Sequence, residues 1–183
     1  MAKTHQQTKH RLSKVVFFGP ESTGKTTLAK HFAKAYATEW VPEYARDYLQ
    51  KKFDTTNTIC EPKDLLPIAN GQLKLEHKLE QKANTYLFCD TNVLETYVYS
   101  KIYFPDLEFP VLKKMALSQD YDFYFLTDID VPWEKDDLRD KPSERQEMFE
   151  TFRSFLLKYD KKFVILTGKL NERIQIVKSI IEK

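Results

Sequence analysis

The sequence predicts an α/β fold in which a five-stranded parallel sheet lies between two layers of helices. Three observations predict it. Short, wholly apolar runs recur along the chain, and longer stretches with helical periodicity separate them. Strands that are apolar throughout are buried on both faces, as in parallel sheets covered by crossover helices. No run approaches the about 18 consecutive apolar residues that a membrane span needs, so these segments belong to a core. Crossovers between parallel strands are right-handed, which puts helices on both sides of the sheet.

The elements follow in order. Val15–Phe18 reads as the first strand and stops at Gly19; Leu28, Phe32, Ala35 and Tyr36 then keep helical spacing. Trp40 and Val41 make a short second strand, Tyr86–Cys89 a third, Phe123–Leu126 a fourth and Phe163–Leu166 a fifth. Met148, Phe149, Phe152, Phe155 and Leu156 form the apolar face of one helix, and Leu170, Ile174, Val177 and Ile181 the stripe of the last. Residues 1–13 are polar and basic, without the apolar stretch of a secretory signal, and read as a flexible tail. The remaining residues, 14–183, are one domain, as the length allows.

Two stretches fit no element. Lys51–Pro67 is polar and carries two prolines, and Asp128–Pro142 is acidic and also contains proline. Both adjoin the C-terminal ends of strands, where ligands of open α/β sheets bind. They are read as lids: a substrate lid spanning 51–84 and a nucleotide lid spanning 128–145.

The composition excludes several classes. A net charge of +2 does not build a nucleic-acid face. Cys60 and Cys89 are far apart and outside any CxxC pair, so a disulfide or zinc site is not expected, and a reduced, cytoplasmic setting is. His5, His10, His31 and His77 show no metal-ligand spacing and are assigned to the surface.

The strongest motif is Gly19-Pro20-Glu21-Ser22-Thr23-Gly24-Lys25-Thr26, a match to GxxxxGK[ST] between an apolar strand and an amphipathic helix. Two of the chain's four glycines fall here and let the backbone curl so that its N–H groups face phosphates. The helix start adds the positive end of its dipole. Lys25 reaches the β- and γ-phosphates, and Thr26 offers a hydroxyl to Mg²⁺. The predicted fold is therefore a P-loop NTPase that takes ATP and Mg²⁺, with Gly19, Glu21, Ser22, Thr23, Gly24, Lys25, Thr26 and Thr27 as the nucleotide-binding set.

A phosphate loop alone means nucleotide binding, so transfer to an acceptor needs further groups. Asp90 follows the third strand, where such proteins hold Mg²⁺; the alternative is that it caps the helix that runs from Asn92. Pro42 is placed to open a helix, with Glu43 in its first turn as proton acceptor and Arg46 as clamp. The alternative is dipole compensation and an ion pair within that helix. Only six arginines occur in the chain, and Arg139 and Arg145 fall in the second lid, suited to the charge of a transferring phosphoryl group. A solvated helix start is the alternative. Asp128, at the root of that lid, and Trp133, within it, are read as substrate contacts; an indole in polar surroundings can stack on a cationic ring or pack the lid down.

Taken together, the loop Gly19–Thr27, Val41–Arg46, Cys89-Asp90-Thr91, Tyr121–Trp133, Leu138-Arg139-Asp140 and Arg145 resemble the ribosylnicotinamide kinase domain of the NadR family. The resemblance runs from about Lys14 to the C-terminus in unbroken segment order. It implies ATP-dependent phosphorylation of the ribose 5′-hydroxyl of nicotinamide riboside. It also implies that Glu43 and Arg46 line the nucleoside pocket, that Asp90 serves the metal or the acceptor, and that Trp133 stacks near the nicotinamide ring. NadR proteins carry an adenylyltransferase domain, and some a DNA-binding segment; neither activity is expected of this chain. Asn92 departs from the second acidic residue expected there. Another small-molecule kinase, or a nucleotide-binding regulatory module, remains compatible with the same residues.

Overall fold

Strand β1 (Ser13–Phe18) is the axis of the fold, and its alternation divides the core in two. Val15 and Phe17 face one side of the sheet, Val16 and Phe18 the other, and all four are fully buried. The computed structural model describes residues 11–136, 138 and 143–183. After β1 come α1 (Lys25–Ala35), β2 (Trp40–Val41), α2 (Tyr44–Thr56), a 3₁₀ turn (Pro62–Asp64) and α3 (Leu65–Glu80). Then follow β3 (Tyr86–Asp90), α4 (Val93–Tyr103), α5 (Pro110–Leu117), β4 (Phe123–Thr127), α6 (Arg145–Lys158), β5 (Phe163–Leu166) and α7 (Leu170–Ile181). All the strand pairings are parallel, in the order β2-β3-β1-β4-β5.

The three layers follow from which residues each helix buries. Leu28, Ala29 and Phe32 of α1 and Ile174, Val177 and Ile181 of α7 pack on the Val15–Phe17 face. Leu65 and Ala69 of α3, Val98 of α4, Leu112 of α5 and Phe152 of α6 cover the other. Phe17 sits at the centre of an aromatic stack, with ring centroids 6.0 Å from Phe32, 6.5 Å from Phe88 and 5.9 Å from Phe125. Offset stacking adds to the area these rings bury.

The chain crosses from β3, on one side of β1, to β4, on the other, so the strand order reverses beside β1, and the loops at its C-terminal edge frame the crevice there. The stretch 51–84 is mostly regular: it holds the end of α2, the 3₁₀ turn and all of α3. The break in periodicity is confined to the link after Asn57, whose left-handed φ of 52° ends α2. Lys52 ties that link down by pairing with Glu61 and Asp64. Helix α2 starts at Tyr44, which corrects the expectation that Pro42 opens it; Glu43 is the residue before the first turn. His31 and His77 are exposed, and Cys60 and Cys89 are free thiols. Among the described residues no helix is long and apolar enough to cross a membrane.

Phe17→Ala should remove about 3–5 kcal/mol of stability, the cost of emptying a packed aromatic site. Urea denaturation followed by tryptophan fluorescence reads this as a lowered midpoint, and an unchanged midpoint would show that the stack is not the centre of the core.

Candidate nucleotide and acceptor site

The phosphate loop leaves β1 at Gly19 and enters α1 at Lys25. Gly19 has φ +142°, and a Cβ there would lie 2.7 Å from Thr127 Oγ1 and 3.0 Å from the Thr127 carbonyl oxygen, so β4 leaves room only for glycine. Gly24, at φ +88°, is the left-handed residue that starts α1. Ser22 also has a positive φ, 55°, and its Oγ accepts from the Glu134 N–H at 2.9 Å. The Thr23 hydroxyl bonds the Pro20 carbonyl at 2.8 Å and Thr127 Oγ1 at 2.7 Å. Of the predicted nucleotide-binding set, Thr23 thus spends its side chain behind the loop and offers its main chain.

Lys25 is buried, with its Nζ donating to the carbonyls of Gly19 at 2.6 Å and Pro20 at 2.8 Å and lying 3.2 Å from Glu95 Oε1. Burial works against the ammonium, but the carboxylates of Glu95, Glu43 and Asp90 outweigh it and hold the proton more tightly than usual. Glu95 Oε2 accepts from the Gly19 N–H at 3.3 Å, so this one carboxylate grips both ends of the loop. Burial pushes Glu95 up to about 8; Lys25 opposes that rise, and the charges of Glu43 and Asp90 add to it.

Asp90 ends β3 and is raised by burial, against the pull of Lys25, the Thr26 hydroxyl and Lys30. Its Oδ2 accepts from the Thr26 hydroxyl at 2.5 Å, whereas its Oδ1 is buried without a hydrogen-bond partner. A hydroxyl and an unpaired carboxylate oxygen converging beside a phosphate loop suit Mg²⁺, which takes oxygen ligands and completes its shell with water and phosphate. Asp90 does not cap α4. Asn92 does, its Oδ1 accepting from the Glu95 N–H at 3.2 Å, which accounts for an amide at that position. Between them Thr91 adopts φ +92°, rare for a β-branched residue, and turns the chain from strand into cap.

A cleft of about 780 Å³ runs along this edge. Ser22–Thr27, Leu170 and Arg173 line its end at the glycine-rich loop, and Leu65, Ile68, Tyr99, Tyr103 and Phe104 line an apolar, aromatic end. Glu43, Arg46 and Gln72 lie in the wall, and Val131, Pro132, Glu134 and Leu138 border it from the predicted nucleotide lid. Gln72 holds the turn that carries Glu43, accepting from the Tyr44 N–H at 2.8 Å and donating to the Pro42 carbonyl at 3.3 Å.

The structure therefore brings together Lys25, Thr26, Glu43 and Asp90, with Arg46 in the same cleft. Arg46 pairs with Asp136 at 2.6 Å, joining α2 to the predicted lid. Three further candidates make contacts of their own. Trp133 is not among the cleft-lining residues; its indole N–H donates to Glu21 Oε1 at 3.4 Å, so it packs the lid segment onto the loop. Asp128 turns its carboxylate onto the Ile129 N–H at 2.7 Å and does not line the cleft. Arg145 reaches loop carbonyls, of Ser22 at 3.3 Å and Val131 at 3.0 Å, because the start of α6 lies beside them. Burial lowers the pKa of its guanidinium. Arg139 lies outside the described residues. The sequence reading missed Glu95, Gln72 and Arg173. Glu95 lies one turn into α4 on the face shared with its cap and was open to notice; Gln72 and Arg173 carry no local signal.

This fold and this loop define an α/β domain of the P-loop type, the fold that a thymidylate kinase also has. Residues 14–173 match the AAA domain family, and the chain belongs to it. It is 29% identical over 125 residues to the trifunctional NAD biosynthesis/regulator protein NadR of Escherichia coli K12, which covers 68% of this chain and 30% of that protein. The chain thus spans less than a third of the curated relatives it matches. The structure of a NadR protein in complex with NR superimposes with a TM-score of 0.79 at 24% identity, over 95% of this chain and 52% of that one. One of NadR in complex with NAD and AMP-PNP gives 0.73 at 25% identity, over 93% of this chain and 49% of that one. A thymidylate kinase from Ehrlichia chaffeensis gives 0.62 at 14% identity, over 92% of this chain and 98% of that one.

The buried carboxyl of Glu95 makes stability depend on pH. Between its ordinary value of 4.5 and about 8 the unfolded chain has released this proton and the folded chain keeps it. The folded state binds more protons there, so this group's contribution falls as pH rises through the window. Glu95→Gln keeps the shape without ionising. Its melting temperature should match the parent's near the acid end and exceed it increasingly towards pH 8; a gap independent of pH would show that Glu95 ionises normally in the fold.

Proposed function

We propose that this chain transfers the γ-phosphoryl group of ATP to the 5′-hydroxyl of nicotinamide riboside. The observation that carries the reading is the single cleft joining the phosphate loop to an aromatic, apolar end, with Glu43 in its wall. The similarity to NadR at 29% identity supports it, as does the likeness to a NadR structure in complex with NR.

The roles follow from position. Main-chain N–H groups of Ser22–Thr27 and the start of α1 bind the phosphates. Lys25 exchanges its loop carbonyls for β- and γ-phosphate oxygens and carries positive charge to where negative charge develops. Glu43 takes the proton of the acceptor hydroxyl as the new O–P bond forms and the bond to ADP breaks. Gln72 keeps Glu43 in place by fixing its turn. Tyr99 and Tyr103, stacked with centroids 6.1 Å apart, present faces suited to a flat cationic ring. Thr26 and Asp90 would hold Mg²⁺, which supplies charge neutralisation between the phosphates. Bringing Arg46 and Asp136 together across the cleft limits the access of water to the transferring group.

A second reading, a deoxynucleoside or nucleotide kinase, is favoured by the fold shared with thymidylate kinase over nearly the whole of both chains. An ADP-release assay with a panel of acceptors separates the two: turnover should be greatest with nicotinamide riboside, and strong turnover of thymidine or a nucleoside monophosphate with none of nicotinamide riboside would replace the first reading by the second. Lys25→Ala should lower kcat by about a hundredfold or more, the scale for removing one preorganised charge from a transfer site. Near-parental turnover in that protein would remove Lys25 from the mechanism.

A further inference from the structure

Arg173, on α7, is 2% exposed and belongs to no motif. Its guanidinium spends its donors on three segments that meet at the sheet edge. Nε donates to the Gly168 carbonyl at 2.9 Å, in the loop after β5. Nη2 donates to the Asp128 carbonyl at 3.0 Å and pairs with the Asp130 carboxylate, at the root of the predicted nucleotide lid. Nη1 donates to the Thr23 carbonyl at 2.7 Å, in the phosphate loop itself.

The last of these bonds has a geometric consequence. A trans peptide is planar, so the Thr23 carbonyl and the Gly24 N–H point in opposite directions. With the carbonyl held by Arg173, the Gly24 N–H is turned away from it. The alternative orientation is within easy reach, because flipping a peptide rotates the following φ by half a turn. For Gly24 that exchanges a φ of +88° for its negative counterpart, and glycine populates both about equally. The backbone at Gly24 therefore does not choose the direction of this N–H. The Thr23 side chain does not choose it either, being held by Pro20 and Thr127. The planar fork of an arginine, anchored on two other segments, does. Arg145 on the Ser22 carbonyl stands in the same relation to the preceding peptide.

We propose that Arg173 is a positioning residue for nucleotide binding, holding the Thr23–Gly24 peptide in the orientation that aims the Gly24 N–H at the phosphates of Mg·ATP. The inference rests on the proposed kinase function and deepens it. Arg173 acts through the loop amide and not through its own charge, which Asp130 neutralises.

The test uses the full chain labelled with ¹⁵N-glycine, whose four glycines give a spectrum simple enough to assign. Isothermal titration with Mg·AMP-PNP is run on the parent, Arg173→Met and Arg173→Lys. Both variants should bind about tenfold more weakly or worse, the scale of one lost hydrogen bond to a charged group. The Gly24 amide should shift on binding in the parent and lose that shift in both variants, while Gly71 stays unmoved throughout. The affinity for nicotinamide riboside should not change. A merely structural arginine would lower the melting temperature and the fraction of binding-competent protein without changing the dissociation constant, and that result overturns the proposal. Parental affinity in Arg173→Lys alone assigns the effect to charge and overturns it as well. If Arg173→Met does not fold, Arg173→Lys decides by the same two readings. If the parent itself does not bind Mg·AMP-PNP, the kinase function falls and the inference with it; binding by the parent with unaltered variants sinks the inference alone.

Discussion

A buried ammonium is the constraint on which the site depends. Lys25 is 7% exposed, and an unpaired cation at that depth is not tolerated. Its three partners are the Gly19 and Pro20 carbonyls and Glu95, and each dictates something further. The carbonyls curl around the amine in a turn where Gly19 has a positive φ and lies against Thr127. Glu95 must be drawn into the interior, at a cost that its raised pKa records. The same acid then ties the loop's first N–H to α4, so helix, loop and strand end are held as one unit.

The rest of the molecule keeps that unit rigid. The stack around Phe17 on one face and the packing of α3, α4 and α6 on the other immobilise β1, from whose end the loop springs. Close packing makes such a scaffold stiff, so a side chain on a strand end is held in place with it. The loop's outward carbonyls are held by Arg145 and Arg173, which come from α6 and α7, far along the chain. The segments after β4 and β5, at Asp128 and Gly168, meet on the same guanidinium. The glycine-rich loop, the segment after β4 and the final helix thus share one fastening.

The strands and the first and last helices were legible because each carries a local pattern, such as the apolar run Tyr86–Cys89 or the stripe from Leu170 to Ile181. The phosphate loop was legible because its glycines and lysine do their work within a few residues of one another. Trp133 left two readings open for the converse reason. Polar neighbours mark an indole that is not in the core, but they do not say which surface it meets, and here it meets Glu21. For Arg145, clustering with Arg139 pointed to phosphates, and its contact with the Ser22 carbonyl follows from where the start of α6 lies, which no local pattern gives.

What the sequence by itself determined is the layered parallel sheet, the phosphate loop and the acids at the strand ends, because periodicity and short motifs encode local geometry. What only the tertiary structure decided is which distant residues complete the site: Glu95 on Lys25, Gln72 behind Glu43, Arg173 on Thr23. Those contacts join residues separated by as many as 150 positions, and no local pattern of side chains specifies them. They exist because the sheet order sets β1 between β3 and β4 and so gathers the ends of remote helices at one edge.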